Sequence, residues 1–352
     1  MESIYAQSDL GKVVLRKMNL PKPGPKQLLL EAEYSSISPG TEYGLMAGKI
    51  LPLPQNIGYS MVAKVIETGD GVTGYKAGDI VAATAQHASH MILDEQAVTP
   101  VPDGVDLEQA AFFILLHTAM FGVRMTQIQI GEPVAVLGQG IVGLLTVKLA
   151  ILAGACPVIA TARDDKRLEY SKAMGAHYPV NVRESPDELY EVVRSLGNGG
   201  IPVVFEAAGS LEPLNSAFKI VGERGRVCLL GVVSTADGGD GLSLEALTSI
   251  FDKGVSLIGG YVNAKPFSLK RHDLSRFVQW PPLISEKAER FVSSDIWTSD
   301  EDIRVVFNLM KYGALDISML ITHRFNVRQI PEAYDMVWKK DRSMIGGLIC
   351  WK

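Results

Sequence analysis

The sequence from residue 133 to 143 places an apolar run directly before a glycine-rich turn. It reads Pro133-Val134-Ala135-Val136-Leu137-Gly138-Gln139-Gly140-Ile141-Val142-Gly143. The apolar run predicts a buried parallel strand, and residues 141–154 predict a helix that ends at glycine. Glycines in the pattern G-x-G-x-x-G between a strand and a helix are typical of a turn that binds the pyrophosphate of a dinucleotide. The predicted contacts are Gly138, Gln139, Gly140, Ile141, Val142 and Gly143.

Strands and helices alternate on both sides of this turn. An apolar helix is predicted over 111–125, and further strands over 157–161, 203–206, 226–231 and 256–259. This alternation predicts a doubly wound parallel sheet. Residues 10–110 instead show short apolar runs separated by Gly, Pro and Asp, which predicts a β-rich domain and favours a barrel over a sandwich.

The C-terminal third changes its pattern twice. Residues 263–300 carry scattered prolines and basic residues, and we interpret them as an insertion. A helix predicted over 301–312 closes the sheet domain. The strands and the helix that follow, near Pro331, are expected to return to the first domain.

The end of the second strand of the sheet predicts which nicotinamide cofactor binds. In NAD-binding turns an acidic residue at this point holds the ribose, but here the strand ends Thr161-Ala162-Arg163. Arg163 is suited to pair with a 2′-phosphate, which predicts NADP. Asp164 and Asp165 leave NAD as the alternative, with one carboxylate turned toward the ribose.

Composition excludes several other classes of protein. The 352 residues are enough for two domains, and the hydrophobic fraction of 47% and charged fraction of 21% are ordinary for a globular protein. A net charge of −5 argues against a nucleic-acid partner, and no apolar run reaches the roughly 18 residues that span a bilayer. The N-terminus shows no secretory pattern, so we expect a cytoplasmic protein with no membrane partner.

Several motifs together resemble the medium-chain dehydrogenase/reductase superfamily, in the branch of zinc-type alcohol, sorbitol and threonine dehydrogenases. These are Gly78-Asp79-Ile80-Val81, Val101-Pro102-Asp103-Gly104-Val105, His117-Thr118-Ala119, the glycine turn, the segment from Lys166-Arg167-Leu168 to Met174-Gly175-Ala176, and Phe205-Glu206-Ala207-Ala208-Gly209. The resemblance implies an α/β protein with a GroES-like β-barrel catalytic domain (1–118 and 316–352) and a Rossmann nucleotide-binding domain (119–315). It also implies cofactor contacts at Thr118, Ala207 and Gly231.

The residues that bind zinc in this family are replaced. The positions of the three catalytic zinc ligands hold Ser38, Tyr59 and Ile114, and the four-cysteine lobe for structural zinc is missing. A hydroxyl, a phenol and an aliphatic chain do not form a catalytic zinc site. His87 and His90 lack further ligands at recognisable spacing, so we predict for them a structural or solvent-exposed role and no metal.

Without zinc, side chains must manage the proton of the substrate oxygen. The resemblance places Tyr59 at the position of a zinc-binding histidine and Glu42 at that of the acid beside it, so we expect the two to touch. Thr41 matches a position that contacts the substrate oxygen. His117 is expected to complete the relay or to replace part of it.

These features predict a zinc-independent oxidoreductase that interconverts an alcohol and a ketone of a small molecule such as a polyol, cyclitol, sugar derivative or secondary-metabolite intermediate. A carbon–carbon double-bond (enone) reductase and a non-catalytic nucleotide-binding protein are the alternatives. The insertion, with Lys270, Arg271, His272 and Arg276, is expected either to cap the substrate cleft or to form a dimer contact or a solvated loop. The strand over 256–261 corresponds to the one at which members of this family often join two sheets edge to edge, so the resemblance implies a homodimer.

Overall fold

The computed structural model describes residues 1–50, 52–197, 199–231, 241–260 and 299–352. These residues form two compact units. The first contains Met1–Ile114 and the described residues from 299 onward, and the second contains residues 115–260. Most of the predicted insertion, including its four basic residues, lies outside the described residues.

The first unit is rich in strands. Up to residue 114 its strands are β1 (Glu2–Asp9), β2 (Lys12–Asn19), β3 (Gln27–Ile37), β4 (Gln55–Asn56), β5 (Met61–Thr68), β6 (Ile80–Ala83), β7 (His90–Asp94) and β8 (Val98–Pro100). The helices there are α1 (Pro39–Met46) and α2 (Leu107–Ala110), with a 3-10 turn at Glu95–Ala97. β2, β1 and β4 form a small sheet, and β3 is the central strand of a larger one, paired with β5 and β7. The predicted β-rich domain is therefore confirmed.

The second unit alternates strands and helices. Its strands are β9 (Val134–Leu137), β10 (Val158–Ala162), β11 (Tyr178–Asn181), β12 (Ile201–Glu206), β13 (Val221–Leu229) and β14 (Ser256–Gly259). Its helices are α3 (Phe113–Thr126), which leads in from the first unit, α4 (Ile141–Leu152), α5 (Asp165–Ala173), α6 (Glu188–Ser195), α7 (Leu211–Ile220) and α8 (Leu244–Asp252).

These six strands pair in parallel in the order β11-β10-β9-β12-β13-β14. All four residues of β9 are buried, as expected of a central strand covered by helices on both faces. From β9 the chain first adds β10 and β11 on one side and then crosses over to add β12, β13 and β14 on the other side. The direction in which strands are added therefore reverses between β9 and β12. Ligands bind at that point in doubly wound folds, and the predicted Rossmann architecture is confirmed.

The C-terminal segment completes the first unit. It contains α9 (Ser299–Lys311), β15 (Ile321–Asn326), α10 (Ile330–Trp338) and β16 (Gly346–Cys350), with 3-10 turns at Ser318–Leu320 and Val327–Gln329. β16 pairs antiparallel with β3, and β15 pairs parallel with β16. Tyr334 of α10 is buried in one core with Ile37 and Ile57. The chain thus returns to the first unit, as predicted.

The helix α9 differs from its prediction in the unit that it joins. It forms where a helix was expected, but it belongs to the first unit and does not close the sheet of the second. The reason is its buried face, since the rings of Phe307 and Phe113 pack with centroids 6.5 Å apart. At the N-terminus of α9 the Thr99 hydroxyl donates to Asp300 Oδ1 at 2.8 Å.

No helix of the described residues is both long and apolar enough to cross a membrane.

Candidate functional site

The glycine turn of the second unit has the geometry of a phosphate-binding turn. Gly140 is the N-cap of α4 and no side chain caps that end, so the first N–H groups of the helix are left for a ligand. A Cβ added at Gly140 would meet no atom within 4 Å, whereas one at Gly143 would lie 1.9 Å from the Gly138 carbonyl oxygen. Gly143 therefore permits close packing of α4 against the end of β9, and Gly140 leaves room for a phosphate to approach the start of α4. Both features fit a dinucleotide-binding turn.

Two further loops meet this turn at the carboxyl ends of the strands. A Cβ at Gly138 would lie 2.7 Å from the Ala208 nitrogen, and one at Gly231 would lie 2.7 Å from the Cα of Gly209. The Ala207 N–H donates to the Leu137 oxygen at 2.8 Å. The structure thus brings Ala207 and Gly231, both predicted as cofactor contacts, into one surface with the turn.

Glu206, which sequence reasoning did not select, holds this loop. Its Oε1 accepts from the N–H groups of Ala208 and Gly209 at 2.9 and 2.8 Å. The carboxyl group is fully buried, and burial raises its pKa while the backbone hydrogen bonds act in the opposite direction. The sequence signal that could have identified Glu206 is its position at the end of β12, directly before three small residues, Ala207-Ala208-Gly209.

Gln139 supports the turn from inside. Its side-chain Nε2 donates to the Val136 oxygen at 2.9 Å, and the residue is buried. The Gln139 side chain therefore stabilises the turn itself.

The acidic residues after β10 are already engaged. Asp164 is the N-cap of α5 and accepts from the Arg167 N–H, and Asp165 Oδ1 accepts from Asn181 Nδ2 at 2.6 Å. Arg163 is exposed and pairs with the carboxylate of Glu212 on α7. An exposed ion pair of this kind contributes about 0–1 kcal/mol, so Arg163 can exchange this partner for a phosphate.

Arg167 is a second cation at the same place. Its Nη1 donates to the Gln139 carbonyl oxygen at 3.4 Å, so the guanidinium lies beside the glycine turn. The available signal was its position in the first turn of the helix that follows the second strand of the sheet.

In the first unit, Glu42 is the centre of a buried polar cluster. Its side chain is 0% exposed, its Oε1 accepts from the Ser38 N–H at 2.8 Å, and its Oε2 accepts from the Tyr334 hydroxyl. His87 Nε2 lies 3.4 Å from the same Oε2. The side-chain partners shown for Glu42 are thus Tyr334 and His87, where the sequence had suggested Tyr59.

His87 is held between this carboxylate and the central strand. It is 0% exposed, which rules out the solvent-exposed alternative for this histidine, and its Nδ1 lies 2.8 Å from Ser35 Oγ. The Trp351 indole N–H donates to the same hydroxyl oxygen at 2.9 Å. A Cβ at Gly58 would lie 2.4 Å from the ring carbons of His87, so only glycine fits next to Tyr59.

The other predicted catalytic residues are distributed over both units. Tyr59 is buried in the first unit, and it is among the groups whose charge raises the pKa of Tyr334, after burial and Glu42. Thr41 is half-buried in α1 beside Glu42. His117 and Thr118 lie on α3 in the second unit, His117 buried and Thr118 half-buried.

The three positions that correspond to zinc ligands do not fit zinc. Ser38 and Tyr59 are buried, and Ile114 has no donor atom in its side chain. Zinc in proteins takes thiolate, imidazole and carboxylate donors. Among the described residues there is no group of three or more His, Cys, Asp or Glu that could hold a metal ion.

The comparisons with known proteins agree with both units. Residues 142–280 match the zinc-binding dehydrogenase family, and residues 24–103 match the GroES-like domain of alcohol dehydrogenases. The chain belongs to the medium-chain dehydrogenase/reductase superfamily. The family assignment and the two-part fold class, GroES-like and Rossmann, are thus confirmed.

Individual relatives support an oxidoreductase of the alcohol dehydrogenase type. An alcohol dehydrogenase of Cupriavidus necator is 25% identical over 93% of this chain and 92% of its own length. An L-threonine 3-dehydrogenase of Pyrococcus abyssi is 28% identical over 62% of this chain and 72% of its own. In fold, the chain is similar to a candidate zinc-binding dehydrogenase of Sinorhizobium meliloti 1021 bound to NADP, with a TM-score of 0.77, 22% identity and full coverage of both chains.

Proposed function

We propose that this protein is a zinc-independent, NADP-dependent oxidoreductase that interconverts a secondary alcohol and a ketone of a small molecule. The observation that carries the proposal is the buried Glu42 cluster. The positions that hold zinc ligands in the family carry Ser38, Tyr59 and Ile114 here, while the same unit buries a carboxylate, an imidazole and a phenol together in Glu42, His87 and Tyr334. Groups of these three kinds transfer protons.

The second unit supplies the proposed cofactor contacts. The N–H groups at the start of α4 would hold the pyrophosphate, and Arg163 with Arg167 would hold the 2′-phosphate of NADP. Thr118, Ala207 and Gly231 would contact the nicotinamide end. The bound nucleotide supplies the hydride chemistry. One oxygen of Asp164 is already engaged at the N-cap of α5 and one oxygen of Asp165 accepts from Asn181, which makes these carboxylates weaker candidates for the ribose of NAD.

The first unit supplies the proton chemistry. A ketone that gains a hydride also needs one proton on its oxygen, and Tyr59 is our candidate for the donor. Glu42 acts behind it, since both of its oxygens are occupied by protein groups. Thr41 would orient the substrate oxygen, and His117 is the candidate for a further step of the relay.

The test begins with the purified protein and its metal content. Titration with NADPH and NADH should give a dissociation constant at least about tenfold lower for NADPH, a difference of about 1.4 kcal/mol. Zinc should be absent at stoichiometric level, and secondary alcohols and ketones should be turned over. Activity toward enones alone would support the double-bond reductase, and tight NADPH binding without any turnover would support the non-catalytic alternative.

Variants then assign the roles. Tyr59→Phe and Glu42→Gln should each lower kcat by about tenfold or more, and His117→Ala tests the further step. Tyr75→Phe is the matched control, because it removes a hydrogen bond of a half-buried tyrosine, to the Val98 oxygen at 3.1 Å, elsewhere in the first unit. If all three variants keep kcat within about threefold of the parent, the proposed proton path is wrong.

Assembly and location belong to the same proposal. β14 is the edge strand of the six-stranded sheet, and Leu257 on it and Phe251 on α8 are exposed. An exposed edge with apolar side chains favours pairing with a second copy. We expect a cytoplasmic homodimer, and light scattering that gives a monomer mass at micromolar concentration would contradict this.

A further inference from the structure

A buried carboxyl group lies at the carboxyl ends of the parallel strands in the second unit. Glu206 is the last residue of β12 and is 0% exposed. Its Oε1 accepts from the N–H groups of Ala208 and Gly209. Its Oε2 has no hydrogen-bond partner among the described residues. One oxygen of this carboxyl group thus holds a loop, and the other is left for a different role.

The second oxygen faces another loop of the proposed cofactor surface. A Cβ added at Gly231 would lie 3.3 Å from Glu206 Oε2, so the missing side chain leaves this oxygen directly beside that loop. The Glu206 carbonyl oxygen also accepts from the N–H groups of Leu230 and Gly231, at 2.8 and 3.2 Å. Glu206 therefore joins the loop that begins at Ala207 to the loop at Gly231, and both are proposed contacts of the nicotinamide end.

No cation compensates this carboxyl group within the described structure. Burial raises the pKa of Glu206, and the N–H groups of Ala208, Gly209 and Ser210 lower it, with no contribution from a charged side chain. A carboxyl group that is shielded from water and lacks a partner ion responds strongly to any charge that binds nearby, because little solvent screens the interaction.

Few titratable groups lie on the elements packed against this carboxyl group. β9 has none, nor has the loop over 207–210. On β13 the Cys228 thiol is neutral, because burial raises its pKa to about 12. α3 packs against this strand at Gly122, and its titratable residues are His117 and Arg124. The remaining titratable residues of β13 and of the start of α7 are exposed or paired with another side chain; they are Glu223, Arg224, Arg226 and Glu212.

The oxidised and reduced forms of a nicotinamide nucleotide differ by one positive charge, which the oxidised ring carries. Both forms bring the same phosphates, so their other charges are equal. A positive charge favours the ionised form of a neighbouring carboxyl group. A carboxylate beside Ala207 and Gly231 therefore favours the oxidised nucleotide over the reduced one, and a neutral carboxyl group does not.

We infer that Glu206 is a buried counter-charge to the nicotinamide ring and sets the relative affinity of the site for NADP⁺ and NADPH. This role rests on the proposed function, because it requires the nucleotide to bind at the glycine turn. The carboxylate favours NADP⁺, and uptake of one proton from solvent, which forms only the carboxyl O–H bond, removes the preference. Ala208 in the loop that covers the carboxyl group is exposed, and local opening of such a loop within seconds lets the proton exchange with water.

His117 provides the competing explanation for such a pH dependence. It is buried on α3, next to Thr118, another proposed contact of the nicotinamide end. A protonated imidazole would repel the ring of NADP⁺, so it would also weaken NADP⁺ binding at low pH. The two groups are distinguished when each is removed in turn.

The experiment measures the dissociation constants of NADP⁺ and NADPH by calorimetry from about pH 5 to 8.5 in the intact protein. Titrations in two buffers of different ionisation enthalpy give the number of protons taken up with each nucleotide. Glu206→Gln keeps an oxygen for the loop N–H groups but carries no charge, and His117→Ala removes the competing group. Glu223→Gln is the matched control, because this glutamate of β13 is exposed. Melting temperatures show whether each variant is folded.

We expect the ratio of the NADP⁺ to the NADPH dissociation constant in the parent to fall by about tenfold as the pH rises over this range. A difference of one unit in the pKa of Glu206 between the two complexes produces a change of this size. NADPH binding should take up more protons than NADP⁺ binding, by up to about one. In Glu206→Gln the ratio should stay within about twofold at every pH. In His117→Ala and Glu223→Gln it should follow the parent.

A parent ratio that does not change with pH, or one that changes equally in the parent and in Glu206→Gln, overturns the role of Glu206 and leaves the proposed function intact. If Glu206→Gln does not fold, His117→Ala decides. A pH dependence that disappears in His117→Ala assigns the effect to the histidine, and one that persists supports Glu206. If NAD⁺ and NADH bind in place of NADP⁺ and NADPH, only the NADP preference fails and the same ratio is measured with that pair. A protein that binds no nicotinamide nucleotide refutes the proposed function and this role together.

Discussion

Replacement of Gly140 by alanine separates cofactor binding from folding. The backbone at Gly140 has φ −76° and ψ −178°, which alanine adopts without strain, and the added methyl group would meet no protein atom within 4 Å. The loss of a glycine N-cap costs up to about 1 kcal/mol. For a chain of this size the melting temperature should fall by no more than about 4 °C.

Binding should suffer far more than stability. The methyl group would occupy the space through which a pyrophosphate reaches the N–H groups of α4, and hydrogen bonds to a charged group contribute about 1.5–3 kcal/mol each. Loss of one such contact predicts a rise in the NADPH dissociation constant of about tenfold to hundredfold.

Fluorescence titration and calorimetry of Gly140→Ala, beside Gly74→Ala, would test this. Gly74 also has no atom within 4 Å of an added Cβ, but it lies in the first unit. Gly143→Ala should instead disturb the fold, because its methyl group would lie 1.9 Å from a backbone oxygen. A Gly140→Ala protein that binds NADPH within about twofold of the parent would refute the assignment of the turn.

Three other predictions follow from the same structure. Arg163→Ala and Arg167→Ala should each weaken NADPH binding by about tenfold and leave NADH binding unchanged, and equal losses for both nucleotides in calorimetry would contradict a 2′-phosphate site. Incubation with a chelator followed by desalting should leave kcat unchanged, and a loss restored by zinc would disprove metal independence. Burial raises the pKa of Glu206, so the folded protein binds the proton of this carboxyl group more tightly than the unfolded chain does. The contribution of Glu206 to stability is therefore complete at low pH. It is lost as the pH rises above about 4.5 and through the raised pKa. Glu206→Gln should therefore reduce the fall in urea midpoint between pH 4.5 and 7.5, and an identical fall in both proteins would count against this.

The sequence was most informative where a local pattern alone sets the structure. The strand, glycine turn and helix at 134–152 form as predicted because the signals lie within a few residues of one another. The same holds for β12, whose apolar run must be buried on both faces. The helix α9 was also predicted from local pattern, but the unit it joins depends on distant partners such as Phe113.

The cluster around Glu42 shows the limit of such reasoning. The family resemblance marked Glu42 and Tyr59 as replacements near the zinc positions, which directed attention to the right part of the chain. The partner found for Glu42 is Tyr334, 292 residues away, and no local pattern connects them. His87 was assigned no role in proton transfer because histidine spacing was judged against metal sites, and its relation to Glu42 appears only after β3 and α1 have packed.

The late pairing of β16 with β3 has a consequence for how the protein is made. The strands and helices of the second unit are continuous in the sequence, so this unit can fold while the chain is still being synthesised. The first unit cannot complete its fold at that stage, because its central sheet includes β16 and its Glu42 cluster includes bonds from Tyr334 and Trp351. Translation must pass Trp351 before that cluster can form, and termination before that point would release a chain with a complete second unit and an incomplete first unit.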